Sequence, residues 1–244
     1  MTNILFIGPA GSGKTTLVRS LGQWMEKESL SVCYVNLDPG ADFLPYDAGY
    51  DVRDLVTVAK IMRDNRLSSN GALIRASEII ENSMDTILNF IKQERADFRL
   101  IDTPGQMELF LFRRMGQMLA SGLHGRTASV FVMDPALLKD HEDLAVLKLM
   151  GLVAELRLGL PSVEVINKSD LLDTRKIRRL ERDLTEGKFR SGGLSKEMAS
   201  RLYSAIGPLE KRKRTLSVSA KSGSGMEDLY KSLGELFCTC GDLS

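Results

Sequence analysis

Six short apolar runs punctuate the chain, and each ends on residues that stop a strand. Ile4–Ile7 stops at Gly8-Pro9, Ser31–Leu37 at Asp38-Pro39-Gly40, and Asp97–Ile101 at Asp102-Thr103-Pro104-Gly105. Ala128–Met133 stops at Asp134-Pro135, Ser162–Ile166 at Asn167, and Thr215–Val218 at Ser219. Runs this short, apolar and rich in β-branched residues read as strands buried on both faces. Between them the apolar spacing lengthens to three and four. Leu17, Val18, Leu21, Trp24 and Met25 predict a helix over 16–27, and Val52 to Met62 predicts a second. Residues 66–71 read as a turn, and Ala72–Glu94 as one long helix. Glu142–Leu158 is closed by Gly159 and Pro161, and a last helix covers about 226–237. Strands alternating with helices predict a three-layer α/β fold with a mostly parallel sheet. One domain spanning 1–244 is expected, with helical insertions on its rim at about 50–95 and at 172–212. The second insertion is charged and breaks at Gly187–Gly193.

Composition narrows the partners. A chain of 244 residues that is 43% hydrophobic has room for a sizeable core. A net charge of +1 gives bulk electrostatics no argument for nucleic acid or an anionic membrane as the main partner; no membrane partner is expected, and nucleic acid is not expected as a direct ligand. Arg175–Arg179 and Lys211–Arg214 are the local exceptions, and the latter reads as a solvated face. Cys33, Cys238 and Cys240 make no disulfide framework. Cys238 and Cys240, without a nearby His or further Cys, receive no metal role. No apolar run reaches the roughly 18 residues of a membrane helix, and no basic leader precedes the first strand, so a cytoplasmic chain is expected.

The chemistry is concentrated where strands stop. Gly8-Pro9-Ala10-Gly11-Ser12-Gly13-Lys14-Thr15 fits GxxxxGK(S/T) at every fixed position. In such a loop, glycines turn backbone N–H groups inward toward phosphates, aided by the positive end of the next helix. Gly11, Ser12, Gly13, Lys14, Thr15 and Thr16 are therefore expected on nucleotide. Lys14 would reach the β- and γ-phosphates, and the Thr15 hydroxyl would ligate Mg²⁺. Asp102-Thr103-Pro104-Gly105-Gln106 offers a second metal carboxylate in Asp102 and a γ-phosphate amide in Gly105. Asn167-Lys168-Ser169-Asp170 has the N-K-x-D form: a carboxylate there accepts from both N1–H and the exocyclic amine of guanine, a donor pair that adenine lacks. Ser219-Ala220-Lys221 supplies a small loop behind the base. Asp38 is placed to orient water or a metal-bound water, and Gln106 to position the attacking water. Glu108 is placed for a water or a partner chain. His124 and His141 are isolated and receive no role.

These residues, together with Asn36-Leu37-Asp38-Pro39, Leu44-Pro45-Tyr46-Asp47, Asp51-Val52-Arg53-Asp54-Leu55 and Ser69-Asn70-Gly71-Ala72-Leu73, resemble the GPN-loop GTPases. The resemblance covers essentially the whole chain. It implies a P-loop GTPase of the SIMIBI class, forming a homodimer across its nucleotide faces, with a Gly-Pro-Asn loop from each subunit reaching the partner's site. Here that loop is Ser68-Ser69-Asn70, so the asparagine amide is kept and the fixed φ of proline is lost.

The combined expectation is Mg²⁺-dependent hydrolysis of GTP to GDP and phosphate by water. Asp38, Gln106, Asn70 and Lys14 would carry the reaction, and the dimer would serve as a nucleotide-controlled assembly switch with protein clients. Two other readings stand beside it: a slow or non-hydrolysing assembly factor, and a metallochaperone-type GTPase, which needs a Cys/His cluster. A small-molecule kinase would have no use for N-K-x-D.

Overall fold

The computed structural model describes residues 1–171, 174–185, 194–210 and 215–238. In chain order the elements are β1 (Thr2–Ile7), α1 (Lys14–Lys27), β2 (Val32–Asn36), β3 (Tyr50–Asp51), α2 (Val58–Asn65), α3 (Ser69–Asn82), α4 (Met84–Gln93) and β4 (Phe98–Asp102). Then come α5 (Met107–Phe112), α6 (Arg114–Gly122), β5 (Arg126–Met133), α7 (His141–Leu158), β6 (Ser162–Ile166), α8 (Thr174–Thr185), α9 (Leu194–Glu210), β7 (Leu216–Ser217) and α10 (Met226–Glu235). Among the described residues, seven strands lie in one parallel sheet of order β3-β2-β4-β1-β5-β6-β7.

β1 shows why the first apolar run has no polar member. Ile4 and Phe6 face a core with Leu17 and Leu21 of α1 and Leu229 of α10. Leu5 and Ile7 face the other core, with Ile80 of α3, Ile87 of α4 and Phe110 of α5. All four residues are at most 1% exposed. Each such burial contributes about 1.5–3 kcal/mol, so either face alone would select against a polar residue. The two cores are the two faces of a three-layer sandwich, as expected. Residues of both predicted insertions join the second core, Ile61 and Ala76 from one and Ile177 and Ala199 from the other.

The chain departs from its apolar pattern in three places. The helix expected over Val52–Met62 is divided: Asp51 caps a single tight turn at Val52–Asp54, accepting from the Arg53 amide, and Thr57 caps α2, accepting from the Lys60 amide. Residues 66–71 are not all turn. Ser68 is an N-cap whose Oγ accepts from the Gly71 amide at 3.4 Å, so Ser69 and Asn70 open α3. The long helix Ala72–Glu94 is kinked at Ser83, whose φ of −100° and ψ of 6° end α3 and begin α4. Ala72, Ala76, Ile80, Met84, Ile87 and Ile91 keep helical spacing straight through that kink, which is why periodicity does not register it. The break at Gly187–Gly193, the run Lys211–Arg214 and Cys240 lie outside the described residues.

Candidate nucleotide site

β1 is the strand at which chain order reverses, running to β4 and β2 on one side and to β5 and β6 on the other. In an open parallel sheet the crevice beyond the strand C-termini at such a point is where ligands bind. The phosphate loop, Asp38, Asp102–Gln106, Asn167–Asp170 and Ser219–Lys221 all lie along that edge, because each follows a strand, whereas Ser68-Ser69-Asn70 follows α2.

Phosphate loop and N-K-x-D are coded about 150 positions apart, and hydrogen bonds join them. The Asn167 side-chain amide donates to the carbonyls of Ser12 at 3.1 Å and Gly13 at 3.3 Å. Its oxygen accepts from the Ala220 amide at 3.0 Å. One buried side chain thus ties three loops together. Lys168 adds a second tie, donating to the Gly11 carbonyl and to the Asp134 carboxylate, both at 2.7 Å. These two bonds offset the cost of its left-handed backbone, φ 55°. Gly13, the N-cap of α1, also has a left-handed backbone at φ 86°, and a Cβ there would lie 2.5 Å from the Asn167 amide nitrogen. Asp170 is exposed beside this junction; a hydrogen bond from the Ser219 hydroxyl at 2.5 Å holds its carboxyl below the usual range. Lys221 is exposed on the same loop.

On the other side of the phosphate loop is a cleft of about 860 Å³, lined by Gly11, Gly13, Lys14, Thr15, Asp38 and Gly105, among others. Lys14 donates to the carbonyls of Gly8 at 2.9 Å and Pro9 at 3.1 Å, which leaves one ammonium proton for a ligand. Burial lowers its pKa, against the pull of Asp102 and Asp38. The Asp38 carboxylate spans two amides, Gly40 at 2.8 Å and Gly105 at 3.1 Å. Burial raises its pKa while those amides oppose the rise.

Asp102 is fully buried, which pushes its carboxyl up to about 6. One oxygen accepts from the Tyr46 hydroxyl at 3.1 Å. The other has no completed hydrogen bond, although the Thr15 hydroxyl is close enough to favour the ionised form. A buried carboxylate with an unused oxygen, beside a threonine hydroxyl and a second carboxylate, is a hard-oxygen donor set of the kind magnesium takes. Among the described residues no group of three or more His, Cys, Asp or Glu is gathered as a metal site. Two carboxylates suffice for an ion that keeps waters and phosphate oxygens in its shell.

Gln106 lines the cleft just before α5. Thr16 and Glu108 are exposed and do not line it. Asn70 is exposed on the first turn of α3; its neighbours Ser69 and Leu73 line the cleft of their own chain, and Asn70 does not. Four residues that the sequence reading left without a role hold the site in shape: Tyr46 on Asp102, Asp134 on Lys168, and the pair Asn36 and Arg53 around Asp38. Asp134 had a signal, since it ends a buried strand on the same sheet edge as the other loops. The other three had none beyond lying in the family blocks.

A family model described as a conserved hypothetical ATP binding protein matches residues 6–239. The chain is 36% identical to GPN-loop GTPase PAB0955 of Pyrococcus abyssi (strain GE5 / Orsay), covering 99% of both chains. It superposes on the crystal structure of PAB0955, described as a GTPase in apo form, with a TM-score of 0.88 over 98% of each chain at 35% identity. GPN-loop GTPase 3 of Dictyostelium discoideum is 34% identical over 70% of this chain and 61% of its own length. No helix among the described residues is long and apolar enough to cross a membrane. With the phosphate loop, the metal-type carboxylates and N-K-x-D on one sheet edge, and a relative matching end to end, this chain belongs to the GPN-loop GTPases.

Proposed function

We propose that this protein hydrolyses GTP to GDP and phosphate in a Mg²⁺-dependent homodimer, and that the nucleotide state switches the dimer's fit to protein clients in the cytoplasm. The observation that carries the reading is Asn167, which ties the phosphate loop to both base-side loops and so directs one ligand across the two regions. The family model's description names ATP, but Asp170 favours guanine. A carboxylate offers two acceptors, and adenine has no N1–H to meet one of them.

Thr15, Asp38 and Asp102 would hold the metal; when bound, it supplies neutralisation of phosphate charge. The free proton of Lys14 and the inward amides of Gly11–Thr15 would stabilise charge gathering on the transferring group. Asp38 and Gln106, both on the cleft wall, would orient the attacking water. Gly105 would turn its amide to the γ-phosphate. The remaining position is Asn70, which is exposed and does not line its own cleft, as suits a residue supplied to a partner's site.

Subunit mixing tests the dimer. Lys14→Ala should disable its own site while keeping Asn70, and Asn70→Ala should keep an intact site that lacks its partner's amide. Each alone should turn over GTP at least about 10-fold more slowly than wild type, and their mixture should recover activity well above the sum of the two. A mixture no better than the sum would mean that Asn70 does not act across subunits.

A further inference from the structure

Asp51-Val52-Arg53-Asp54 is a motif to which the phosphate chemistry gives no task, yet Asp51, Arg53 and Asp54 all line the cleft. The side chains of Asp51 and Arg53 are committed to one object, the loop 38–42, while Val52 packs in the core. Arg53 donates to Asp51 through Nε at 2.9 Å and Nη2 at 2.6 Å, and through Nη1 to the Ala41 carbonyl at 3.1 Å. Asp51 accepts in addition from the Asn36 side-chain amide at 2.8 Å. Asn36, fully buried, accepts from the Asp38 backbone amide at 3.0 Å and donates to the Asp38 carbonyl at 3.3 Å. The loop is therefore held at both ends. Asn36 fixes the peptide of Asp38, Arg53 fixes the carbonyl of Ala41, and Asp51 joins the two.

A guanidinium beside a phosphate site invites the role of an arginine finger, but this one has little left to give. Its fork is taken by one carboxylate in bidentate geometry, and its other arm by a carbonyl. Burial pushes the Asp51 carboxyl up, but the Arg53 guanidinium and amide outweigh it and hold the carboxyl below the usual range. What the brace controls is the direction of the Asp38 carboxylate, whose Oδ2 lies on the Gly105 amide. We propose that Arg53 is a positioning residue for hydrolysis, acting through Asp51 and Asn36 on Asp38. This inference rests on the GTPase reading above.

The test uses full-length wild type, Arg53→Ala and Arg53→Lys with GTP and Mg²⁺, and the same proteins labelled with ¹⁵N-glycine. Arg53→Ala should lower kcat by at least about 10-fold, with KM for GTP and affinity for GDP within about two-fold of wild type. The Gly105 amide resonance should move in the nucleotide-free variant while that of Gly223, on the base side, stays in place. Arg53→Lys, with one ammonium in place of a fork, should fall between the two, and it carries the test if Arg53→Ala does not fold. A kcat within two-fold of wild type, or a lost kcat with the Gly105 resonance unmoved, overturns the proposal. Wild type without GTP turnover would instead sink the GTPase reading, leaving the resonance shift to report on the brace alone.

Discussion

Asp170→Asn should lower GTP affinity by at least about 10²-fold and raise affinity for xanthosine triphosphate in its place. The carboxylate at 170 is an acceptor at both oxygens, one of which also takes the Ser219 hydroxyl. Asparagine keeps one acceptor and presents an NH₂ where guanine presents its own exocyclic amine, so two donors meet and neither is satisfied. Xanthine carries a carbonyl at that carbon and restores the match. The side chain is exposed and nearly isosteric, so the fold should not change. Competition of labelled GDP by GTP, ATP and xanthosine triphosphate reads the result directly. Unchanged GTP affinity would remove the base-recognition role of Asp170, and a gain for ATP in wild type would favour the wording of the family model.

The second large effect belongs to Asn167→Ala. The residue is 1% exposed and makes three hydrogen bonds to two other loops, the phosphate loop and the loop at Ala220. Truncation strands two carbonyls and one amide in a site that packing keeps narrow, a cost of about 3 kcal/mol. In a chain of this size that is a fall in Tm of about 6–12 °C. Nucleotide affinity should drop more than 10-fold, because the phosphate loop and the base loop no longer hold one another's register. Asn167→Asp should be at least as damaging, since a carboxylate would face the carbonyls of Ser12 and Gly13. Thermal unfolding with and without GDP separates the two losses. If Asp is tolerated at 167, the side-chain nitrogen does not face the phosphate loop and the tie described here is wrong.

The residues proposed for the chemistry could be named from the sequence because phosphate capture and guanine selection demand fixed residue types at fixed loop positions. Lys14, Thr15, Asp38 and Gln106 line one cleft with Asp102 buried beside Thr15, and Asn167 and Ser219 sit at the adjoining junction. The strands were readable for a related reason. A strand covered on both faces is mostly apolar, so β1 and β5 stand out without any partner being known, whereas β6 carries a buried Glu164 that Lys148 neutralises. Irregular segments hid better. The kink at Ser83 leaves the apolar spacing intact, and the two caps at Asp51 and Thr57 cost α2 its first turns without altering composition. Residues 107–122, which form α5 and α6, gave no element at all from their pattern. The serines at 68 and 69 looked like a loosened loop for want of proline. Instead Ser68 supplies a cap that glycine could not, and the asparagine sits on a helix. Supporting contacts such as Tyr46–Asp102 depend on side chains brought together by tertiary packing, which no local spacing encodes.

A residue with no side chain stands at one end of a chain of contacts that ends on Asp102. Gly22, on the sheet side of α1, leaves the space that the Tyr34 ring fills; a methyl there would come within 2.2 Å of its hydroxyl oxygen. Tyr34 lies flat on Tyr46, ring centres 4.9 Å apart, and Tyr46 ends on Asp102. Gly22→Ala should therefore act as a lever, pushing one ring onto the next until the acidic group at the far end is turned. Such a protein should require several-fold more Mg²⁺ for tight mant-GDP binding and should recover as the salt is raised, whereas an unaltered requirement would mean that the rings absorb the shove.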